Sequence, residues 1–295
     1  MFVTRFAPSP TGPLHLGHAY SALLAHDMAM AAGGIFLLRI EDIDQERARP
    51  EWEAQIYDDL HWLGLDWAHP PMRQSQRQSA YVAALDDLWD RHLLFPCACS
   101  RRDLLLSGQA PQEGAEAVHD ACHRKCTPQP GGVPYPPRVQ GQHLRLDMRN
   151  ALALCKHHNV AGIDDQHGLS FQETGPTHRG TVFTARSAYA TDIADVVIAR
   201  RDIATSYHLS VVVDDAAQGI THVVRGEDLF EATRIHVLLQ KLLHLPTPIY
   251  HHHRLIRDEA GKRLAKRDDA RALAKYRAEG ATPTDIRRLV GLDHG

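Results

Sequence analysis

The sequence lacks any apolar run of the roughly 18 residues that a membrane-spanning helix needs. Its first ten residues, MFVTRFAPSP, lack the basic and then apolar pattern of a secretory signal peptide. It also lacks the basic excess that favours non-specific nucleic-acid binding, since its formal net charge is -3 and its pI is about 6.7. We therefore expect a cytoplasmic protein, and any nucleic-acid partner would need a local basic face.

Cysteine is sparse outside one short stretch of the chain. Four of the five cysteines fall between Cys97 and Cys126, and Cys155 stands apart. In a cytosolic chain such a cluster suggests a metal site more than disulfides, and four thiolates suit a closed, structural zinc site. His119 and His123 could replace a cysteine ligand, and four reduced structural thiols are the alternative. The expected ligands are Cys97, Cys99, Cys122 and Cys126.

The N-terminal third alternates between patterns typical of strands and of helices. Short apolar segments are followed by longer segments with helical spacing, and Gly33-Gly34 ends the first helix. This β-loop-α-β-α order predicts a parallel sheet covered by helices. The predicted strands are 2–6 and 35–41, and the predicted helices begin near Leu16, Pro50 and Ser75 and end near Gly33, Leu63 and Leu93.

The pattern breaks near Leu94 and returns at residue 193. The residues between are polar, rich in proline and glycine, and contain the cysteines, so we expect an inserted module, with a second loop at 157–185. Strands are then predicted at 193–199 and 220–225, followed by a helix from Leu229 to Leu243 and a helical tail that breaks around Gly280–Pro283. The sequence thus predicts a Rossmann-like, doubly wound α/β fold. Its parts are two halves of a nucleotide-binding domain (1–96 and 191–245), an inserted module with the zinc site (97–190), and a loop with a short helical tail (246–295).

The segment from Pro8 to His18, PSPTGPLHLGH, lies at a predicted strand-to-helix turn. Such a turn offers free backbone N–H groups and the positive end of a helix dipole, which together favour an anion. Gly12 and Gly17 allow a ligand to approach the backbone, and His15 and His18 could donate hydrogen bonds to phosphate oxygens. The alternative is a tight turn with two incidental histidines.

Several motifs resemble those of class I aminoacyl-tRNA synthetases. HLGH resembles the HIGH signature, and RFAPSPTGPLHLGH and LRIEDID are similar to strings of the glutamyl and glutaminyl branch. A further string, YHLSVVVDDAAQGITHVVRGEDL, resembles the segment of this branch that leads into the last part of the nucleotide-binding fold. The string GKRLAKRD stands where the KMSKS loop should be. The resemblance covers residues 1–95 and about 190–270.

Within this branch the chain resembles the glutamyl-Q tRNA(Asp) synthetase group, whose members look like a catalytic half without the anticodon-binding half. Few residues follow Lys266, so we expect no helical anticodon domain. The resemblance implies activation of L-glutamate with ATP, accompanied by Mg, and transfer of glutamate to queuosine in tRNA(Asp). A truncated glutamyl-tRNA synthetase that charges a 3′ end, and an inactive paralogue that binds tRNA, are the alternatives.

The resemblance also implies which residues form the site. His15, Gly17, His18 and Lys266 would contact ATP, with the two histidines and the lysine as the catalytic group. Arg5 and Arg225 would bind the carboxylates of glutamate, whose planar shape matches a guanidinium, and Glu41 would bind the ammonium group. The implied glutamate pocket comprises Arg5, Phe6, Ala7, Pro8, Ser9, Glu41, Tyr207 and Arg225.

Two positions depart from the family pattern. Arg263-Leu264-Ala265-Lys266 replaces the usual Lys-Leu-Ser-Lys, which keeps the second lysine but loses the serine hydroxyl. Cys122 stands where the family has tyrosine, at the same spacing to Cys126. Asp214-Asp215 resembles a metal-binding pair, but we interpret it as a pair at a helix end or turn and assign no metal there.

Overall fold

The computed structural model describes residues 1–97, 137–157, 168–193, 195–257 and 271–292. Cys99, Cys122, Cys126 and Lys266 lie outside these residues. Among the helices in the described part of the chain, none is long and apolar enough to cross a membrane.

The N-terminal third folds as predicted from its apolar periodicity. β1 and β2 pair in parallel with Arg5 beside Leu37, and the short β3 pairs in parallel with the end of β2. A short helical turn precedes the third helix. The elements are β1 (Val3–Phe6), α1 (Leu16–Ala31), β2 (Ile35–Ile40), α2 (Pro50–Trp62), β3 (Met72–Arg73) and α3 (Gln78–Asp90).

A small antiparallel sheet follows. It contains β4 (Leu94–Cys97), β5 (His143–Leu146) and β8 (Val197–Ala199), in the order β4-β5-β8, and α4 (Met148–His157) comes after β5. The strand predicted at 193–199 is therefore shorter than expected and pairs antiparallel with β5 rather than joining the parallel strands.

The prediction of a loop at 157–185 is wrong for the second part of that segment. Residues 169–184 form a hairpin of β6 (Leu169–Glu173) and β7 (Gly180–Thr184). Its strands are short, and β7 is mostly exposed, so apolar alternation along it is weak. The prediction missed the hairpin for that reason.

The C-terminal half completes the parallel sheet. Its elements are α5 (Tyr207–Ala217), β9 (His222–Gly226), α6 (Ala232–Leu242), β10 (Ile249–His253), α7 (Leu273–Ala278) and α8 (Pro283–Val290). β10 lies between β9 and β6 and is parallel to both. The predicted strand at 220–225 and the break in the helical tail are confirmed. β10 was not predicted, because the histidines of IYHHH hide a buried strand.

The two parallel sheets adjoin at β1 and β9. Thr221 N, just before β9, donates to Val3 O over 3.0 Å, which places β9 beside β1. The strands thus follow the order β6-β10-β9-β1-β2-β3, with the chain leaving β1 toward β2 first and toward β9 later. In doubly wound sheets ligands bind at the carboxyl ends of the strands where the order reverses, here between β1 and β9.

Separate apolar cores cover the two faces of this sheet. One core joins α1, α2, α7 and α8 to residues such as Phe6, Phe36 and Val224. The other joins α3, α5, α6 and the antiparallel sheet to Val3, Leu37 and Val223. Because alternate strand residues face opposite sides, Arg5 and Arg225, two positions beyond Val3 and Val223, belong to the second face.

Candidate active site

Polar and charged side chains gather on one face of the parallel sheet, near the carboxyl ends of its strands. All but Glu41 follow an apolar residue of the core that contains Val3 by two positions, so the strand period of two directs them to that face. Most of them are buried, and helix α5 reaches two of them, Arg5 and Arg39, through Asp215. These residues are Arg5 on β1, Arg39 on β2, Glu41 just after it, Arg225 on β9, His252 on β10 and Glu173 on β6.

Arg5 and Arg39 share the carboxylate of Asp215, which projects from the last turn of α5. Arg5 Nε and Nη2 donate to its two oxygens over 2.8 and 3.2 Å, and Arg39 Nη1 donates over 2.5 Å. Arg39 Nη2 also donates to Glu41 Oε1 over 3.0 Å. Burial alone would raise the pKa of Asp215, but the charges of Arg5 and Arg39 outweigh it and hold that pKa below its usual value.

The negative charge of Glu41 is compensated less fully by the neighbouring arginines than that of Asp215. The pKa of Glu41 is raised by burial, which Arg39 and Arg5 only partly oppose. A bound ammonium group next to Glu41 would favour its ionised form, which suits the expected role of this residue. The backbone N–H of Glu41 donates to Pro8 O over 3.0 Å, so the loop after β1 stays attached to the end of β2.

Asp214 and Asp215 lie in the last turn of α5, as the interpretation of a helix-end pair expects. Asp214 is fully buried and accepts from Gln74 Nε2, Arg77 Nε and Tyr81 Oη over 2.7 to 3.1 Å. Its bonds tie α5 to α3 and to the turn before it. The two aspartates therefore have different partners. Asp214 joins α5 to α3, and Asp215 binds two arginines.

Tyr207 is the first residue of α5 and lies beside the other expected glutamate-binding residues. The helix begins where Ser206 Oγ accepts from Leu209 N, a capping bond. Burial raises the pKa of Tyr207, Glu41 adds to the rise, and Arg225 and Arg5 oppose it. These mutual interactions show that the structure brings Arg5, Glu41, Tyr207 and Arg225 into one region.

The remaining residues of the expected glutamate pocket lie in and after β1. The Phe6 ring is buried in the core on the opposite face of the sheet, so only its backbone is available to a ligand. Ala7 and Ser9 are half-buried, and Ser9 O accepts from Thr11 N over 2.9 Å, which turns the chain toward α1.

The HLGH motif forms the N-terminus of α1. His15 Nδ1 accepts from Gly17 N, and His18 Nδ1 accepts from His15 N, both over 3.1 Å. A neutral imidazole that accepts at Nδ1 carries its proton at Nε2. Both rings thus carry their proton at Nε2 while they cap the helix, and an anion at this terminus would meet the positive end of the helix dipole.

Gly17 leaves room for the His15 ring in this arrangement. A side-chain carbon at position 17 would lie 3.0 Å from His15 Cε1 and 3.1 Å from His15 Nδ1, closer than carbon atoms normally approach. The sequence analysis expected Gly17 to admit a ligand, and the structure adds that it admits the His15 ring.

The chain returns to this motif just after the segment that contains Lys266. Leu273 N donates to Leu14 O over 2.8 Å, and Ala272 forms a bridge with His15. Lys266 itself lies outside the described residues, shortly before Ala272 in the sequence.

Cys97 is the expected zinc ligand that the structure describes. It is buried at the end of β4, and Arg145 Nε donates to its sulfur over 3.2 Å. The described residues contain no cluster of three or more potential metal ligands, and the other three expected cysteines lie outside them.

Several residues of the site were missed by sequence reasoning. Asp215 was interpreted as part of a pair at a helix end or turn, and no arginine partner was predicted for it. Arg39 and Glu41 alternate along a buried strand, which could have predicted Arg39. The histidine partners of Arg225, and the glutamate that bonds one of them, could not be found without the pairing of β6, β10 and β9. The missed residues are Arg39, Glu173, Asp215, His236 and His252.

Known proteins resemble this chain over most of its length. Residues 1–129 and 169–293 match the family described as tRNA synthetases class I (E and Q), catalytic domain. A Rhodobacter capsulatus protein named glutamyl-Q tRNA(Asp) synthetase is 58% identical over 98% of this chain and 100% of its own length. A glutamate–tRNA ligase of Synechococcus sp. (strain CC9605) is 36% identical over 99% of this chain, which spans 58% of that ligase.

A solved structure shares the fold. The glutamate tRNA ligase from Elizabethkingia meningosepticum, in complex with its amino acid, superposes with a TM-score of 0.71 at 24% identity, covering 98% of this chain and 60% of its own. The mixed α/β architecture described above is thus the class I catalytic fold. From the match over most of its residues, the chain belongs to the family of class I tRNA synthetases (E and Q), through its catalytic domain.

Proposed function

We propose that the protein uses ATP to activate L-glutamate as glutamyl-adenylate and transfers the glutamate to queuosine in the anticodon of tRNA(Asp). The observation that carries the activation step is the convergence of Arg5, Glu41, Tyr207 and Arg225 where β1 and β9 meet. The choice of queuosine is supported by the name of the relative that is 58% identical over its full length.

Activation is an in-line attack of a glutamate carboxylate oxygen on the α-phosphorus of ATP. A bond forms between that oxygen and phosphorus, and the bond to the leaving pyrophosphate breaks with its electron pair. The attacking group is already anionic, so the reaction needs positioning and charge stabilisation rather than a general base. His15 and His18 suit this task through their Nε2–H donors, and Gly17 N lies in the same helix terminus.

Lys266 would neutralise phosphate charge from its loop, and Mg would accompany ATP as part of the substrate. The attachment of Ala272 and Leu273 to the HLGH motif supports this placement of the loop. In the second step a hydroxyl of queuosine attacks the activated carbonyl, and AMP leaves.

The glutamate carboxylates are assigned to Arg5 and Arg225 and its ammonium group to Glu41. The backbone of residues 5–9 lines the same end of β1 and completes the pocket. Both arginines are buried, and a buried guanidinium binds a carboxylate more strongly than an exposed one because water competes less.

A structural zinc ion is part of the proposal. The expected ligands are Cys97, Cys99, Cys122 and Cys126, with His119 and His123 as possible replacements. The donor contact from Arg145 to the Cys97 sulfur fits a zinc-bound thiolate, because such sulfurs accept hydrogen bonds from surrounding groups. The ion would fold the inserted module and take no part in catalysis.

The second candidate function is the charging of a tRNA 3′ end. It is favoured by the identity of 36% to the Synechococcus ligase, which shares the activation chemistry. An inactive tRNA-binding paralogue is the third candidate, and the altered Arg263-Leu264-Ala265-Lys266 loop is what favours it.

Transfer of radiolabelled glutamate tests the proposal. Glutamate-dependent ATP–pyrophosphate exchange is measured first, and then labelling of total tRNA from cells with and without queuosine. We expect exchange and labelling that requires queuosine. Labelling of queuosine-free tRNA would indicate 3′ charging, and absence of exchange would indicate the inactive paralogue. Lys266→Ala should lower exchange by orders of magnitude, and Lys262→Ala in the same loop is the matched control.

A further inference from the structure

Arg225 is a buried cation whose hydrogen-bond acceptors are all uncharged among the described residues. Its Nε donates to His252 Nε2 and its Nη1 to His236 Nδ1, each over 3.1 Å. Its Nη2 donates to Thr233 Oγ1 over 2.6 Å and to Leu229 O over 3.2 Å. The guanidinium is thus held firmly on two sides by imidazole rings.

The geometry determines where the protons of these rings lie. Arginine can only donate, so the two ring nitrogens that face Arg225 must accept and carry no proton. His252 then bears its proton at Nδ1 and donates it to Glu173 Oε2 over 2.5 Å. His236 bears its proton at Nε2 and donates it to His208 Nδ1 over 3.1 Å. All three rings are therefore neutral.

The pKa shifts agree with neutral rings. Burial, followed by the charge of Arg225, holds the pKa of His236 well below its usual value. Burial and Arg225 lower the pKa of His208 to about 4. Burial lowers the pKa of His252 to about 4 although its bond to Glu173 opposes the shift.

Hydrogen bonds to Glu173 fix its carboxylate so that it accepts the Nδ1 proton of His252. Its Oε1 accepts from Gly175 N over 2.6 Å and from His252 N over 3.0 Å, which leaves Oε2 directed at the ring. These bonds outweigh burial and lower the pKa of Glu173 to about 2. A side chain at position 175 would collide with His252 O, so glycine is required for this turn.

The two arginines of the site differ in how their charge is balanced. Arg5 is paired with both oxygens of Asp215, a carboxylate that it shares with Arg39. Arg225 bonds no carboxylate among the described residues, and Glu173 is linked to it only through the His252 ring. A substrate carboxylate would therefore gain more from Arg225 than from Arg5, because no anion among the described residues is hydrogen-bonded to Arg225.

We propose that His236 and His252, the latter oriented by Glu173, are positioning residues that orient Arg225 without neutralising it, so that its charge is kept for a carboxylate of glutamate. This inference rests on the proposed activation of glutamate. It assigns a role to three residues that do not touch the substrate. They orient the Arg225 guanidinium, and His236 and His252 place no negative charge beside it.

A matched pair of substitutions at His236 separates charge from shape. In His236→Asn the amide oxygen can accept from Arg225 as Nδ1 does, whereas His236→Asp places a carboxylate of the same shape there. We expect the aspartate variant to raise the KM for glutamate on the order of 10- to 100-fold above that of the asparagine variant. The KM for ATP should be the same in both variants, as measured by ATP–pyrophosphate exchange.

Equal glutamate KM values in the two variants, or equal changes in the KM for ATP and for glutamate, would overturn the proposal. A purely structural role of His236 predicts the first of these results. The unaltered protein gives a second test that does not depend on how the variants fold. In ¹⁵N spectra of labelled histidine at pH 7, we expect His252 protonated at Nδ1 and His236 and His208 at Nε2. A charged ring or the opposite tautomer would refute the assignment.

The same exchange assay distinguishes this inference from the proposed function. If the unaltered protein shows no glutamate-dependent exchange, the proposed function fails. If it shows exchange and the asparagine and aspartate variants have the same KM for glutamate, only the positioning role fails.

Discussion

Asp215→Asn removes one negative charge from between two buried arginines. The carboxylate of Asp215 accepts three bonds from Arg5 and Arg39 over 2.5 to 3.2 Å, and all three side chains are less than a tenth exposed. Asparagine has nearly the same shape but one acceptor oxygen, so one arginine donor meets an amide N–H. After the substitution, Glu41 is the remaining carboxylate that bonds either guanidinium among the described residues.

The expected loss of stability follows from burial. Removing one partner of a buried ion pair costs about 3–5 kcal/mol, because the other partner stays buried without compensation. The pKa of Asp215 in the folded protein lies below the usual 3.8, so its stabilisation is complete above that value and is lost as pH falls. The difference between the two proteins should therefore be largest at neutral pH and shrink below about pH 4.

Urea denaturation at pH 7.5 measures this difference, and Asp58→Asn is the control. Asp58 and Arg277 form a salt bridge of 2.7 Å, but both side chains are exposed, so its loss should cost only ~0–1 kcal/mol. The donor–acceptor distances of the two ion pairs are similar, and the pairs differ in how deeply they are buried. If both substitutions lower the free energy of unfolding equally, burial does not strengthen the Arg5–Asp215 pair and the reasoning is refuted.

Three further predictions follow from single residues. Gly17→Ala should displace the His15 ring and raise the KM for ATP by about 10-fold or more without lowering the melting temperature, and an unchanged KM would contradict the crowding described. Burial, with Asp58 adding, raises the pKa of Asp59 to about 6, and its Oδ2 lacks a partner among the described residues, so Asp59→Asn should stabilise the protein at pH 8 by up to ~3 kcal/mol. The gain should fall to about half at pH 5, where the folded carboxyl is protonated, and a gain independent of pH would rule out this cause. Cys97→Ser should lower the zinc content measured by mass spectrometry, and unchanged zinc would remove Cys97 from the ligands.

The first elements could be predicted because their apolar spacing is regular. β1, α1, β2 and α2 begin and end within a few residues of the predicted bounds. β10 could not, because three of its five residues are histidines that read as polar although two of them are buried. Their burial depends on β9 and β6 lying on either side, which apolar spacing along one segment does not reveal.

The identities of the expected glutamate-binding residues came from motifs, and the structure brings Arg5, Glu41, Tyr207 and Arg225 into one region. Their partners were not predicted. Arg5 and Asp215 are 210 residues apart in the chain, and no local pattern links an arginine to a carboxylate so distant.

The sequence by itself determined the strand-to-helix turn of the HLGH motif and the alternation that directs the arginines to one sheet face. These features depend on residues close together in the chain, where spacing decides direction. The tertiary structure alone decided that Arg5 is paired with a carboxylate while Arg225 is held by neutral imidazoles. That difference arises where β1 meets α5 and where β9 meets β10 and α6. Electrostatic environment depends on which buried groups become neighbours, and chain packing sets that.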